Sequence, residues 1–110
     1  MAYDEKLAKR IRDLLGDEED LTEKRMFGGL AFLIAGNMCV AASGQGGLLV
    51  RLDPQETHEA LSLAHASPMD MGRGPMRGWI RVGEKGVADA RGLRRWVDRA
   101  RDYVRTLPPK

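Results

Sequence analysis

Aromatic residues make up only 5% of the 110-residue chain. Aliphatic side chains and methionines must therefore fill its core. A single cysteine excludes an intrachain disulfide framework and points to a reducing compartment. No apolar run approaches the roughly 20 residues that a membrane-spanning helix needs. The longest, Leu30-Ala31-Phe32-Leu33-Ile34-Ala35, has the length of a strand. No basic segment leading into an apolar one opens the chain, so no secretion signal is read. A cytoplasmic protein without membrane contact is expected. An excess of one charge is also missing: the formal net charge of +2 does not by itself imply nucleic-acid binding. The charge is unevenly spread, with eight acidic and four basic residues in positions 1–23 against eight acidic and fourteen basic after them.

What is present fits one soluble domain over residues 1–110, with 43% hydrophobic and 31% charged residues. Asp4 can cap a helix with Leu7, Ile11, Leu14 and Leu15 on its apolar face, and Gly16 can stop it. The Asp17-Glu18-Glu19-Asp20 cluster reads as a solvated connection. From Thr22 the pattern is that of strands. Gly36-Asn37 suggests a two-residue hairpin of type II′, with Met38–Ser43 as the return strand and Leu48–Leu52 as the next. Asp53-Pro54-Gln55-Glu56 combines an N-cap, a proline at the first helical position and a capping-box glutamate. The helix that it starts is expected to reach about Ala64. A long connection follows from Ala66 to Gly78, then a short strand, Trp79–Val82. A last helix runs from near Ala88 to Leu107, with Leu93, Trp96, Val97, Ala100, Val104 and Leu107 on one face and Tyr103 beside them.

Alternation separates two faces of the strands. Leu30, Phe32, Ile34, Leu48, Val50, Leu52, Ile80 and Val82 form a large aliphatic face that three amphipathic helices can cover. Ala31, Leu33, Ala35, Leu49, Arg51, Trp79 and Arg81 form a smaller, mixed one. The expected fold is a two-layer α+β domain: one antiparallel sheet of four to five strands and three helices, in the order helix, three strands, helix, strand, helix.

Chemistry-bearing patterns are sparse. Cys39 lies mid-strand among apolar neighbours and reads as a small buried hydrophobe. His58 and His65 are seven apart, which places their Cα atoms about 10 Å apart on a helix, too far to share one metal. No Ser-His-Asp or Cys-x-x-Cys pattern is present, no metal site or cofactor is implied, and the chain reads as non-enzymatic. Gly28-Gly29 does not precede a helix, so it lacks the logic of a phosphate loop. It reads as a bend or bulge within one strand, with a tight turn between two strands as the alternative. Arg73-Gly74-Pro75-Met76-Arg77-Gly78, next to Trp79, is either an anion- or partner-binding lip or a loop pinned to the core by Met69, Met71 and Met76. The arginines of the last helix are interleaved with Asp98 and Asp102, as on a solvated, salt-bridged face, and direct nucleic-acid contact is the lesser reading.

Lys24-Arg25-Met26-Phe27-Gly28-Gly29, the Gly36-Asn37-Met38 hairpin, Pro75-Met76-Arg77-Gly78-Trp79 and the closing Leu107-Pro108-Pro109-Lys110 together resemble the N-terminal domain of the TfoX/Sxy family of competence regulators. The resemblance covers nearly the whole chain. It implies a bacterial protein with a small α+β domain, acting in transcriptional control of natural competence through protein partners. Family members commonly carry a second, C-terminal domain suited to DNA, and the present sequence ends at Lys110 without one, as a stand-alone domain would. The family pattern offers no catalytic residues to carry across.

The combined reading is a non-enzymatic regulatory or protein-interaction domain, with Arg25, Arg51, Arg73, Arg77 and Trp79 as candidate binding residues. The alternative is a small anion- or nucleotide-binding protein, conceivably an enzyme, in which Arg25, Arg51 and Arg77 converge on one pocket. The expected partner is another protein or a second copy of the chain, paired through the second face of the sheet.

Overall fold

The computed structural model describes residues 3–26, 28–70 and 74–110. Asp4 caps α1 (Glu5–Leu15) through its carboxylate, which accepts from the backbone N–H groups of Lys6 and Leu7. Four strands follow: β1 (Leu21–Met26), β2 (Gly29–Ile34), β3 (Asn37–Ala42) and β4 (Leu48–Arg51). After Asp53 a 3-10 turn (Pro54–Glu56) leads into a single helical turn, α2 (Thr57–Ala60). The hairpin β5 (Ala66–Asp70) and β6 (Pro75–Val82) comes next, then a 3-10 turn (Glu84–Gly86) and α3 (Ala90–Val104). One six-stranded sheet results, in the order β1-β2-β3-β4-β6-β5, with every pairing antiparallel.

The α+β class and the three helices match the sequence-based expectation, but there are six strands rather than four to five. One extra strand comes from the glycine pair. Met26 lies opposite Gly29, so β1 and β2 are separate strands joined by a tight turn, and the expected bend within one strand gives way to the alternative. Gly28, at φ +73°, supplies the left-handed conformation that such a turn requires. The other extra strand is β5, which lies inside the segment expected to be a connection. Pro68 argues against a central strand, but β5 is an edge, where a missing N–H costs no ladder bond.

Other elements also end elsewhere than expected: β6 begins at Pro75 rather than Trp79, and α3 ends at Val104 rather than Leu107. The β2–β3 loop is Ala35-Gly36, closed by the Ile34–Asn37 pair, and both loop residues have positive φ (52° and 83°), the type I′ pattern rather than type II′. The C-terminal tail holds this turn: the Lys110 N–H donates to the Ala35 carbonyl at 2.8 Å, and buried Asn37 donates from Nδ2 to the Pro108 carbonyl at 2.9 Å. The second helix does not reach Ala64. Beyond Ala60 the chain tightens into i→i+3 bonds, from Ser62 N–H to Glu59 and from Leu63 N–H to Ala60, before His65 at φ +69° turns it into β5.

Alternation sorts the strand side chains as expected. Leu30, Phe32, Ile34, Val40, Leu48, Val50, Leu52, Ile80 and Val82 pack beneath Leu7, Ile11 and Leu15 of α1 and Leu93, Trp96, Val97, Ala100 and Val104 of α3. A bulge adjusts the fit. Phe32 faces Val40 but Leu33 faces Met38, so Cys39 is the extra residue, and Cys39 and Val40 both join this core. On the other face Ala31, Met38, Ala41, Leu49 and Met69 are buried as well, flanked by half-buried Met26, Leu33 and Trp79. Every described member of this second cluster comes from a strand, and Ala31 and Ala41 are fully buried. The acidic connection is not simply solvated. Glu18 pairs with Arg105, and Arg101 approaches Asp17 at 4.0 Å, which ties residues 17–18 to the end of α3. No helix among the described residues is long and apolar enough to cross a membrane.

Burial at the bulge has a testable consequence. Desolvation pushes the Cys39 thiol up to about 12, whereas an unfolded thiol titrates at about 8.5. The unfolded chain therefore releases its proton first, and stability falls as pH rises from that value toward 12. Cys39→Ala removes this dependence. In urea titrations the stability gap between the wild type and that variant is expected to narrow by about 1.4 kcal/mol per pH unit above pH 8.5. A gap that stays constant to pH 10.5 would contradict the buried placement.

Candidate functional site

β4 and β6 pair so that Arg51 lies opposite Trp79. Both come from the mixed face read in the sequence, and both are half-buried. The Arg51 guanidinium carbon lies 5.8 Å from the centre of the Trp79 ring and 6.0 Å from that of Tyr103. One ring comes from the sheet and the other from α3. Two aromatic faces hold the cation by its quadrupole attraction while leaving its N–H groups unused: Arg51 makes no hydrogen bond or ion pair to a described residue. Among the described residues only Arg101 Nε is a buried side-chain nitrogen or oxygen without a partner, so the unused donors of Arg51 reach solvent.

The neighbouring backbone fixes this corner. Gly78 sits at φ +89°, its N–H donates to Thr57 Oγ1 at 3.0 Å, and its carbonyl accepts from the Leu52 N–H at 2.8 Å. That pair of bonds ties the start of α2 and the end of β4 to β6 just before Trp79. Arg77 is exposed and donates from Nε to the Pro54 carbonyl at 3.3 Å, and its two terminal nitrogens make no hydrogen bond to a described residue. Beside Tyr103 lies a hollow of about 320 Å³, lined by Asp53, Glu56, Arg99, Asp102 and Thr106 among others. Arg99 bridges Glu56 at 3.2 Å and Glu59 at 2.9 Å, and Asp53 accepts from the Gln55 N–H. Asp102 has no hydrogen bond or ion pair to a described residue. The corner thus presents two guanidinium groups and a carboxylate that have no ion pair to a described residue, near two aromatic walls.

Of the residues proposed from sequence, Arg51 and Trp79 lie opposite each other, and Arg77 stands two positions before Trp79 on β6, bonded to Pro54. The structure does not bring Arg25 to them. Arg25 is exposed on the edge strand β1, opposite Leu30, and β1 lies three strand spacings, or about 14 Å, from β4. Arg73 lies outside the described residues. Arg81 is turned toward Ser43, donating to its Oγ at 2.8 Å. Tyr103 and Asp102 were not singled out as site residues. Tyr103 stood beside the apolar stripe of the last helix, but nothing local to it shows that β4 ends beneath it. Among the described residues no group of three or more His, Cys, Asp and Glu is placed to hold a metal ion.

Comparison with known proteins finds no match among curated proteins or among solved structures. A family model does match, over residues 13–103, from the last turn of α1 to the last turn of α3. The match takes in the whole sheet, the β4–β6 corner and nearly all of α3: the chain belongs to the TfoX N-terminal domain family.

Proposed function

We propose that this TfoX-type domain is a cytoplasmic protein-interaction module, working in transcriptional regulation of the kind described for the family, and that it docks its partner at the β4–β6 corner. The observation that carries this reading is Arg51, held between Trp79 and Tyr103 with no hydrogen bond or ion pair to a described residue. Arg, Trp and Tyr are the residue types most enriched at the energetic centres of protein interfaces. A partner carboxylate would meet Arg51 and Arg77, and an apolar side chain would lie on Trp79. The carboxylate of Asp102 nearby, without an ion pair to a described residue, favours a protein surface of mixed charge over a small anion at this corner.

A photo-crosslinking residue at position 77 tests the reading in an extract of a bacterium that carries the protein. Adducts with a partner are expected, and Arg51→Ala should reduce their yield by about tenfold or more, in keeping with a hot spot of about 2 kcal/mol. Adducts that are indifferent to Arg51→Ala, or none above background, would overturn it.

A further inference from the structure

The arginines of α3 fall into two groups. In its second half Arg99 bridges Glu56 and Glu59, Arg101 pairs with Asp98 at 2.7 Å, and Arg105, just past the helix, pairs with Glu18. In its first half Arg91, Arg94 and Arg95 make no hydrogen bond or ion pair to a described residue, and neither does the side chain of Lys85 just before the helix. The first turn of α3 also lacks an acidic residue, although cations are disfavoured at that end of a helix. The fold therefore gathers cations with no ion pair to a described residue at the helix end where helix electrostatics oppose them.

Lys85, Arg91 and Arg95 line a cavity. Arg91 and Arg95, one turn apart, line a hollow of about 320 Å³ together with Lys85 and His65, over an apolar floor that includes Trp96 and Leu63. The one carboxylate in the lining, Asp89, caps the helix, its Oδ1 accepting from the Gly92 N–H at 2.6 Å. The helix end is therefore occupied by its own cap, and the side chains make the site. Two close approaches brace the walls. A Cβ at Gly92 would fall 2.5 Å from the Gly86 carbonyl oxygen, and one at Gly86 would fall 2.9 Å from the His65 Cβ. The turn carrying Lys85 is thus pressed between the start of α3 and His65.

We propose that this hollow binds a small phosphorylated molecule, with Arg91, Arg95 and Lys85 on the phosphoryl oxygens and the apolar part of the ligand against Leu63 and Ala64. Three cations and one engaged carboxylate call for a ligand with at least two negative charges, and guanidinium forks match phosphate oxygens. The volume is that of a small-molecule site, and a concave wall suits a discrete ligand better than a duplex backbone. The site shares no residue with the β4–β6 corner and stands or falls separately from it.

Titration of the full ¹⁵N-labelled chain with inorganic pyrophosphate, and separately with ATP, at constant ionic strength tests the proposal. Saturable shifts centred on Gly86, Gly92 and the Trp96 indole are expected, with a dissociation constant below about 1 mM. Arg91→Gln with Arg95→Gln should weaken binding by about tenfold per residue. The matching lysine pair should weaken it less, and Arg51→Ala should leave it unchanged. Should the glutamine pair lose its native spectrum, Lys85→Gln replaces it, with the same expected tenfold loss. Three results would overturn the proposal: no saturable shift by about 10 mM pyrophosphate at low salt, binding that survives the glutamine substitutions, or tighter binding of duplex DNA along the outer face of α3.

Discussion

Gly29→Ala is expected to destabilise the domain by about 3 kcal/mol or more, at the upper end of overpacking costs. A Cβ at this position would lie 2.0 Å from the Ala42 carbonyl oxygen and 3.1 Å from both the Ala42 carbonyl carbon and the Gly44 nitrogen. All three are backbone atoms, so no rotamer change relieves the contact. The first pair of β2 with β3, Leu30 with Ala42, would have to open. Gly28 is a glycine for a different reason. Its Cβ would meet nothing within 4 Å, but φ is +73°, so Gly28→Ala should cost only the left-handed penalty of about 1–2 kcal/mol. Urea unfolding of the two variants followed by circular dichroism separates these roles. Equal costs would mean that the pair acts as one hinge rather than as a turn residue beside a packing residue.

The contrast between the two glycines also marks where sequence reading runs out. The Asp4 cap, the apolar stripes of α1 and α3 and the alternation of Leu30, Phe32 and Ile34 are local patterns, and the structure keeps them. Whether Gly28-Gly29 bends one strand or joins two depends on which strand lies beside β1, and no local pattern carries that. Ala35 is a poor candidate for a left-handed turn residue, and Gly36-Asn37 is a better local signal. The tail from Pro108 to Lys110 bonds to Ala35 and Asn37 and so supports the observed register. Pro68 hid β5 because its cost vanishes only at an edge, and edge position is a property of the whole sheet. At the site, alternation put Arg51 and Trp79 on one face, and the β4–β6 pairing made them neighbours. Tyr103 completes the cation's cage from a helix 52 positions further along the chain, and Arg25 is excluded by strand order.

Leu49→Ala is expected to cost about 2–5 kcal/mol, the range for truncating a fully buried leucine, and by the same amount at every protein concentration. Leu49 is only 1% exposed, although it lies on the face where no helix contributes to the apolar cluster. Ala31 and Ala41 form the floor beside it, and Met38 and Met69 belong to the same buried cluster. Flexible thioether side chains fill such irregular space well. Leu49 reaches this burial within one chain, so we expect the cost to belong to folding of the monomer. Were a second copy needed to finish this face, unfolding midpoints would rise with concentration, as linkage requires of an associating species. Urea or thermal melts of the wild type and Leu49→Ala, each at two concentrations about a hundredfold apart, distinguish the cases. Linkage across that range is worth about 2.7 kcal/mol, well above the error of the comparison. Phe32→Ala, on the helix-covered face, is the reference: it should cost about 3–5 kcal/mol, also without concentration dependence. A Leu49→Ala cost that shrinks toward zero at the lower concentration, with that of Phe32→Ala unchanged, would move the second face from the core of the monomer to an interface between copies.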